Sequence, residues 1–234
     1  AAGAYDVALA VGAEKTWVPP AANVETRKKS FSSFLAGTDV EVTTKLIEMM
    51  QAEAEEKRRQ LEQSGEVKKG EGRGARSPFM DIYAMARRAH MSRYGTTQRQ
   101  LAVIAAKNHY HGSLNPDAQY KMTMTVEEVL SDRLVSHPLT RAMCAPMGDG
   151  AAAAILVSAE YLKRLGDARP VKVRASVLAS GSTTPGNQAK RAAQKAYDMA
   201  GVGPDDIDTA EVHDATAFGE LAQTESLGFC KEGD

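Results

Sequence analysis

The chain has 234 residues, 43% hydrophobic and 25% charged, and 29 basic against 30 acidic side chains leave a formal charge of −1. This is ordinary globular material with apolar mass for one large core or two smaller ones, and the balanced charge excludes the global basic field of a nucleic-acid or anionic-membrane binder. Two cysteines, Cys144 and Cys230, are too few for a disulfide framework and point to a reducing cytosol, while no apolar run reaches the ~18 residues of a membrane span.

Taken in order, Tyr5 to Val11 is a short apolar run ended by Gly12, which suits a strand buried on both faces as in a parallel sheet, with Glu14 as a solvated loop acid beyond it. Residues 17–38 are irregular, with Trp17, Phe31 and Phe34 as aromatic anchors. Val40 to Gln63 is strongly helical in propensity. Its first half has an apolar stripe of Leu46, Ile47, Met49 and Met50; its second half is charged, with Glu53 and Lys57 as an i,i+4 pair. Residues 64–78, rich in glycine and basic side chains, read as a solvated linker.

A helix is expected from Phe79 to Arg93, with Ile82, Tyr83, Met85, Ala86, Ala89 and His90 on one face and Arg87 and Arg88 on the other. Thr97 is a good N-cap for the next helix, lined by Leu101, Ile104, Ala105 and Asn108. Tyr83, Tyr94 and Tyr110 read as packing residues. His90, His109 and His111 fall at helical spacings that do not converge with a carboxylate or cysteine, so no metal site is expected. Val126 to Leu130 is one helical turn.

The second half opens with Asp149-Gly150, a tight-turn pair, then an alanine-rich strand through Val157, with Ser158 capping a helix over 159–165 that Gly166 ends. Residues 171–178 alternate like a strand with one open face, and 180–186 form a loop. Asn187 to Ala200 buries Ala189, Ala192, Ala193, Ala196, Tyr197 and Ala200 on one face, and Gly201 and Gly203-Pro204 stop it. Asp208 to Glu220 then reads as a strand turning sharply into a helix, with His213 and Asp214 at the turn. Ligands gather at such carboxyl ends of strands in open α/β sheets. His213 is the candidate catalytic residue, and Asp214 either caps the helix or orients the imidazole.

Three segments carry a resemblance. Gly3 to Glu14 is similar to the strand after the nucleophile helix of the thiolase superfamily. Asp149-Gly150-Ala151-Ala152-Ala153 through Ser158-Ala159-Glu160 resembles the segment closing its N-terminal half. Glu211-Val212-His213-Asp214, with Glu220-Leu221 and Glu225 to Cys230, resembles the HDxF…E-L…E-x-L-G-x-C block of its sterol-carrier-protein-X-type branch. Tyr94-Gly95-Thr96-Thr97 and Asn108 add to it.

The resemblance implies an α/β chain with part of a layered αβαβα thiolase-like fold and an inserted, mainly helical loop domain. Residues 1–18 would end the N-terminal domain, 19–140 form the insertion, 141–168 the closing strand and helix, and 169–234 the start of the C-terminal domain. It implies an acyl-CoA thioester substrate, no bound cofactor, and a homodimer.

In thiolases a cysteine thiolate takes the acyl group and oxyanion holes stabilise the thioester oxygens, a strong effect in a dry site. His213 would supply the donor that an asparagine-held water provides in most thiolases, since neutral imidazole keeps one N–H. Ala145, Thr216 and Phe218 would border the substrate; Ala145 stands where many thiolases have a CoA-contacting serine, and Thr216 at the phenylalanine of HDxF. The nucleophile would precede Ala1, and the GHP histidine and second cysteine would follow Asp234, so both ends are expected to be cut from something longer, inactive alone. The reaction implied is acyl transfer by Claisen condensation or thiolysis of β-ketoacyl-CoA. Alternatives are retro-aldol cleavage of β-hydroxyacyl-CoA with a partner protein, and a non-catalytic acyl-CoA-binding or dimerisation module.

Overall fold

The computed structural model describes residues 3–15, 39–66, 78–146, 148–166, 168–180 and 187–234. The aromatic anchors at 17–38, the core of the basic linker and the 181–186 loop lie outside these residues. The chain forms two compact units, one from 1–38 and 146–174, the other from 39–145 and 175–234.

In the first unit, β1 (Val7–Glu14) pairs with β4 (Gly150–Val157), the fourth strand in chain order. The ladder is antiparallel and unbroken from Val7↔Val157 to Glu14↔Gly150. This corrects the parallel, doubly buried strand expected from the apolar run: Leu9, Val11 and Ile155 are exposed. An apolar run reports only that a strand wants cover, and its partner here lies more than a hundred residues away, beyond reach of local pattern. The strand also continues through Gly12, so Glu14 is a ladder residue and not a loop acid. Ser158 closes the end of the ladder. Its N–H donates to the Asp6 carbonyl (2.8 Å), and its hydroxyl accepts from the Tyr161 N–H (3.0 Å) to cap α5 (Ala159–Leu162).

The second unit is mainly helical. Asp39 caps α1 (Val40–Ser64), accepting from the Val42 N–H at 3.1 Å. The buried stripe of α1 is Met50, Ala54, Arg58 and Leu61, not the run ending at Met50; Leu46 and Met49 are exposed. Arg58 is tolerated inside because Glu55 and Glu62, one helical turn to either side, pair with its guanidinium. Glu53 reaches Arg88 of α2 (Pro78–Tyr94) at 2.7 Å and so ties two helices together, where sequence spacing suggested Lys57.

The faces of α2 are turned from expectation. Asp81, Ala84 and Arg87 are buried, while Ala86 and Ala89 are exposed. Arg87 is buried because acceptors wait for it: its guanidinium donates to the Thr96 hydroxyl and to the Thr97 carbonyl (2.6 Å). The N–H of Gly95, at φ 74°, closes α2 onto the Met91 carbonyl, and Thr97 caps α3 (Gln98–Leu114) in a reciprocal box with Gln100.

Then come α4 (Val126–Ser131) and a short antiparallel pair, β2 (Leu134–Ser136) with β3 (Leu139–Thr140). Leu101, Ala102, Ala105, Val129, Leu139 and Met143 form the core with Ala84, Ala217 and Phe218. Tyr110, read as a packing residue, is exposed. No ladder partner for 171–178 or 208–212, where strands are expected, occurs among the described residues. The chain ends in α6 (Gln188–Ala200), capped by Asn187 and stopped by Gly201 at φ 66°, and α7 (Ala217–Ser226).

Candidate active site

The turn bearing His213 is shaped by the residues on its C-terminal side. Thr216, in extended backbone and fully buried, caps α7 by accepting from the Gly219 N–H at 3.2 Å. Asp214 is therefore not the cap, because Thr216 stands immediately before the first helical residue and its hydroxyl takes the Gly219 N–H. Gly219 lets the turn close on the helix, because a Cβ there would lie 3.0 Å from the His213 carbonyl oxygen. The Gln223 side chain accepts from the His213 N–H (3.2 Å) and donates to the His213 carbonyl. The far side of the turn is docked by a Cys144–Thr216 bridge and by the Ala145 N–H donating to the Ala215 carbonyl at 3.0 Å.

Of the residues singled out from sequence, the structure thus gathers Ala145, His213, Asp214 and Thr216 around one turn. His213, Asp214 and Ala145 are exposed. Thr216 and Phe218 are interior: Thr216 serves the cap, and Phe218 lies in the core under the Arg87 guanidinium, 6.0 Å from ring centre to carbon. Both side chains, expected to border the substrate, are thus engaged in the cap and the core.

A cleft of about 780 Å³ opens along the turn. It is lined by Asp208, Glu211 and Asp214, by Lys107 and His111 of α3, and by Glu220 of α7, but not by His213. Glu220 accepts from the Asn108 amide (2.7 Å) and pairs with Lys107 (2.7 Å), fastening α7 to α3. Carboxylates outnumber cations along this cleft.

A second cluster was not legible. His90, expected to meet no carboxylate, has Nε2 3.0 Å from both oxygens of Glu225, each side chain about 9% exposed. Its Nδ1 lies 2.9 Å from the Thr96 hydroxyl and 3.5 Å from the Arg87 guanidinium. A guanidinium only donates and a carboxylate only accepts, so these contacts suit the tautomer with its lone pair on Nδ1 and its N–H on Nε2. Burial pulls Arg87 down to about 10, partly offset by the charge of Glu225, and it stays a cation at neutral pH. The helix spacing of Arg87 and His90 was visible, but the acceptor 135 residues away was not.

The thiols are both free. Burial, with the negative charge of Asp132 adding to it, pushes Cys144 up to about 12, and its Sγ–H donates to the Thr140 carbonyl at 3.4 Å. Cys230 is exposed and also raised, mainly by desolvation. Neither is an activated nucleophile. Among the described residues, no three His, Cys, Asp or Glu side chains are grouped to hold a metal, and no helix is long and apolar enough to cross a membrane.

Residues 172–234 match the family described as thiolase C-terminal domain-like. The chain is 41% identical over 164 residues to an acetyl-CoA acetyltransferase of Methanothermobacter thermautotrophicus, covering 67% of this chain and 43% of that protein. It is 36% identical to the benzoylsuccinyl-CoA thiolase subunit BbsB of Thauera aromatica, covering 65% and 41%, and 38% identical to sterol carrier protein 2 of Gallus gallus, covering 65% and 30%. It thus spans less than half of each of these relatives.

Among solved structures, the Ltp2-ChsH2(DUF35) aldolase is similar with a TM-score of 0.62 at 27% identity, over 68% of this chain and 45% of that one. A monomeric SCP2-thiolase-like protein from Mycobacterium smegmatis shares the fold with a TM-score of 0.51 at 23% identity, over 63% and 36%. By sequence and by fold, this chain belongs to the thiolase superfamily.

Proposed function

We propose that the whole protein is an acyl-CoA C-acyltransferase of thiolase type, making or cleaving the carbon–carbon bond of β-ketoacyl-CoA. The observation that carries this is the 41% identity to a relative named acetyl-CoA acetyltransferase. The reaction uses coenzyme A thioesters as substrates and no further cofactor, in a cytosolic homodimer. His213, exposed at a turn whose main chain is fixed, is the residue of this chain that meets the substrate: an imidazole N–H there donates to the thioester oxygen as it gains negative charge. Cys144, buried and held near 12, is not the acyl acceptor, and neither is Cys230. Ala145 contributes the neighbouring surface. Residues 19–140 act as an inserted loop domain, between the parts of the N-terminal domain at 1–18 and 141–168, and 169–234 begin the C-terminal domain.

The test is release of acetyl-CoA from acetoacetyl-CoA and free coenzyme A. Turnover by the whole protein, and none by the 234-residue chain alone, is the expected result. Turnover by the chain alone would contradict the assignment of Cys144 and Cys230. A second reading, retro-aldol cleavage of a β-hydroxyacyl-CoA with a partner protein, is favoured by one observation, the 0.62 TM-score to a structure titled as an aldolase with a DUF35 component. Cleavage of a β-hydroxyacyl-CoA, with no thiolysis of acetoacetyl-CoA, would select it.

A further inference from the structure

We infer that Gln223 is a positioning residue for His213; the inference rests on the oxyanion-donor reading of His213 above. Residues 207–215 have no strand ladder among the described residues, and the main chain of His213 is bonded instead by a side chain. That side chain is Gln223. Its Oε1 accepts from the His213 N–H at 3.2 Å while its Nε2 donates to the His213 carbonyl, the same pair of bonds a neighbouring strand would make. Nε2 also donates to the Gly219 carbonyl at 3.3 Å, and this fixes the amide's orientation, since the flipped amide would set donor against donor at His213. Gly219 completes the seat by leaving no Cβ between helix and turn.

The consequence is chemical. With both main-chain groups of His213 pinned to α7, the direction of its Cα–Cβ bond is set although its ring is exposed. A donor aimed at a developing charge works only within about 0.5 Å of its place, and a misplacement of about 1 Å costs on the order of a hundredfold.

The test is a double-mutant cycle on the whole protein, measuring kcat and KM for acetoacetyl-CoA thiolysis with Gln223→Ala, His213→Ala and the pair. Gln223→Ala should lower kcat about ten- to a hundredfold with KM little changed, yet cost under about twofold more once His213 is already alanine. Gln223→Glu, which keeps the acceptor but loses the donor, should fall between wild type and alanine. An equal loss in both backgrounds, or no loss, would overturn the inference. Should His213→Ala leave kcat unchanged, the oxyanion reading fails separately. Hydrogen exchange at the His213 amide then decides the clamp: faster exchange in Gln223→Ala supports it, and unchanged exchange overturns it.

Discussion

His90 and His213 are both tied to α7, one through Glu225 and the other through Gln223, yet the chain grips the first by its ring and the second by its main chain. Both nitrogens of His90 are engaged, with Thr96 and Arg87 at one and Glu225 at the other, and the ring packs edge-on to Phe218 at 5.7 Å. At His213 the bonds from Gln223 go to the backbone, and no bond to the ring is found among the described residues. An imidazole whose donor and acceptor are both committed indoors has nothing left to offer a substrate. One held only through its backbone keeps its ring for chemistry, which is why the exposed histidine, and not the better-bonded one, is the candidate donor.

Exchanging each ring for a methyl group is the harshest way to break this contrast. His213→Ala should lower kcat of the whole protein by ~10²-fold or more, the scale for one oxyanion donor, while leaving its denaturation midpoint nearly in place. His90→Ala should do the reverse, costing about 1–3 kcal/mol in urea unfolding because the Glu225 carboxylate loses a buried donor. A large kcat effect from His90→Ala at unchanged stability would blur the distinction.

Thr216→Val sharpens the contrast by testing whether the turn depends on its cap. Removing the hydroxyl that accepts from the Gly219 N–H should cost about 1 kcal/mol of stability. No cost would put the cap elsewhere.

A third histidine contributes a pH dependence of its own. Burial, with Lys57 and Arg88 nearby, lowers His137 below its usual value. The folded state therefore resists its protonation more than the unfolded state does. Its contribution is present above the unfolded value near 6.5, and is lost as pH falls through that value toward the lower folded one. Thermal melts should show a fall over that window, flattened in His137→Gln. A stability that rises on acidification through the same window would contradict the sign.

The smallest expected effect is a rate difference. Iodoacetamide at pH 8 should label exposed Cys230 well before Cys144, which burial holds near 12; equal labelling would mean Cys144 is open.

What was legible in the sequence was local. Thr97, Ser158 and Gly201 act within one turn of where they stand, and the structure uses each as its residue type suggests. Leu101 and Ala105 fall on the buried face of α3 because helical period alone sets that face. The faces of α1 and α2 differ from the helical-period expectation where a charged residue finds partners inside. Arg58 and Arg87 look like solvent-side residues until Glu62, Thr96 and the Thr97 carbonyl are in place. The His90–Glu225 pair and the β1–β4 ladder were out of reach because their partners are far apart in sequence. At the candidate site, the turn at His213 could be read from sequence, whereas the cap at Thr216, which leaves Asp214 only the orienting alternative, and the core place of Phe218 depend on tertiary contacts.

The most direct measurement tracks the imidazole resonances of the whole protein by nitrogen-15 NMR during titration with acetyl-CoA. The ring signals of His213 should shift with ligand while those of His90 stay fixed. Shifts at His90 with none at His213 would contradict the claim that the exposed, backbone-held histidine is the one that meets the thioester.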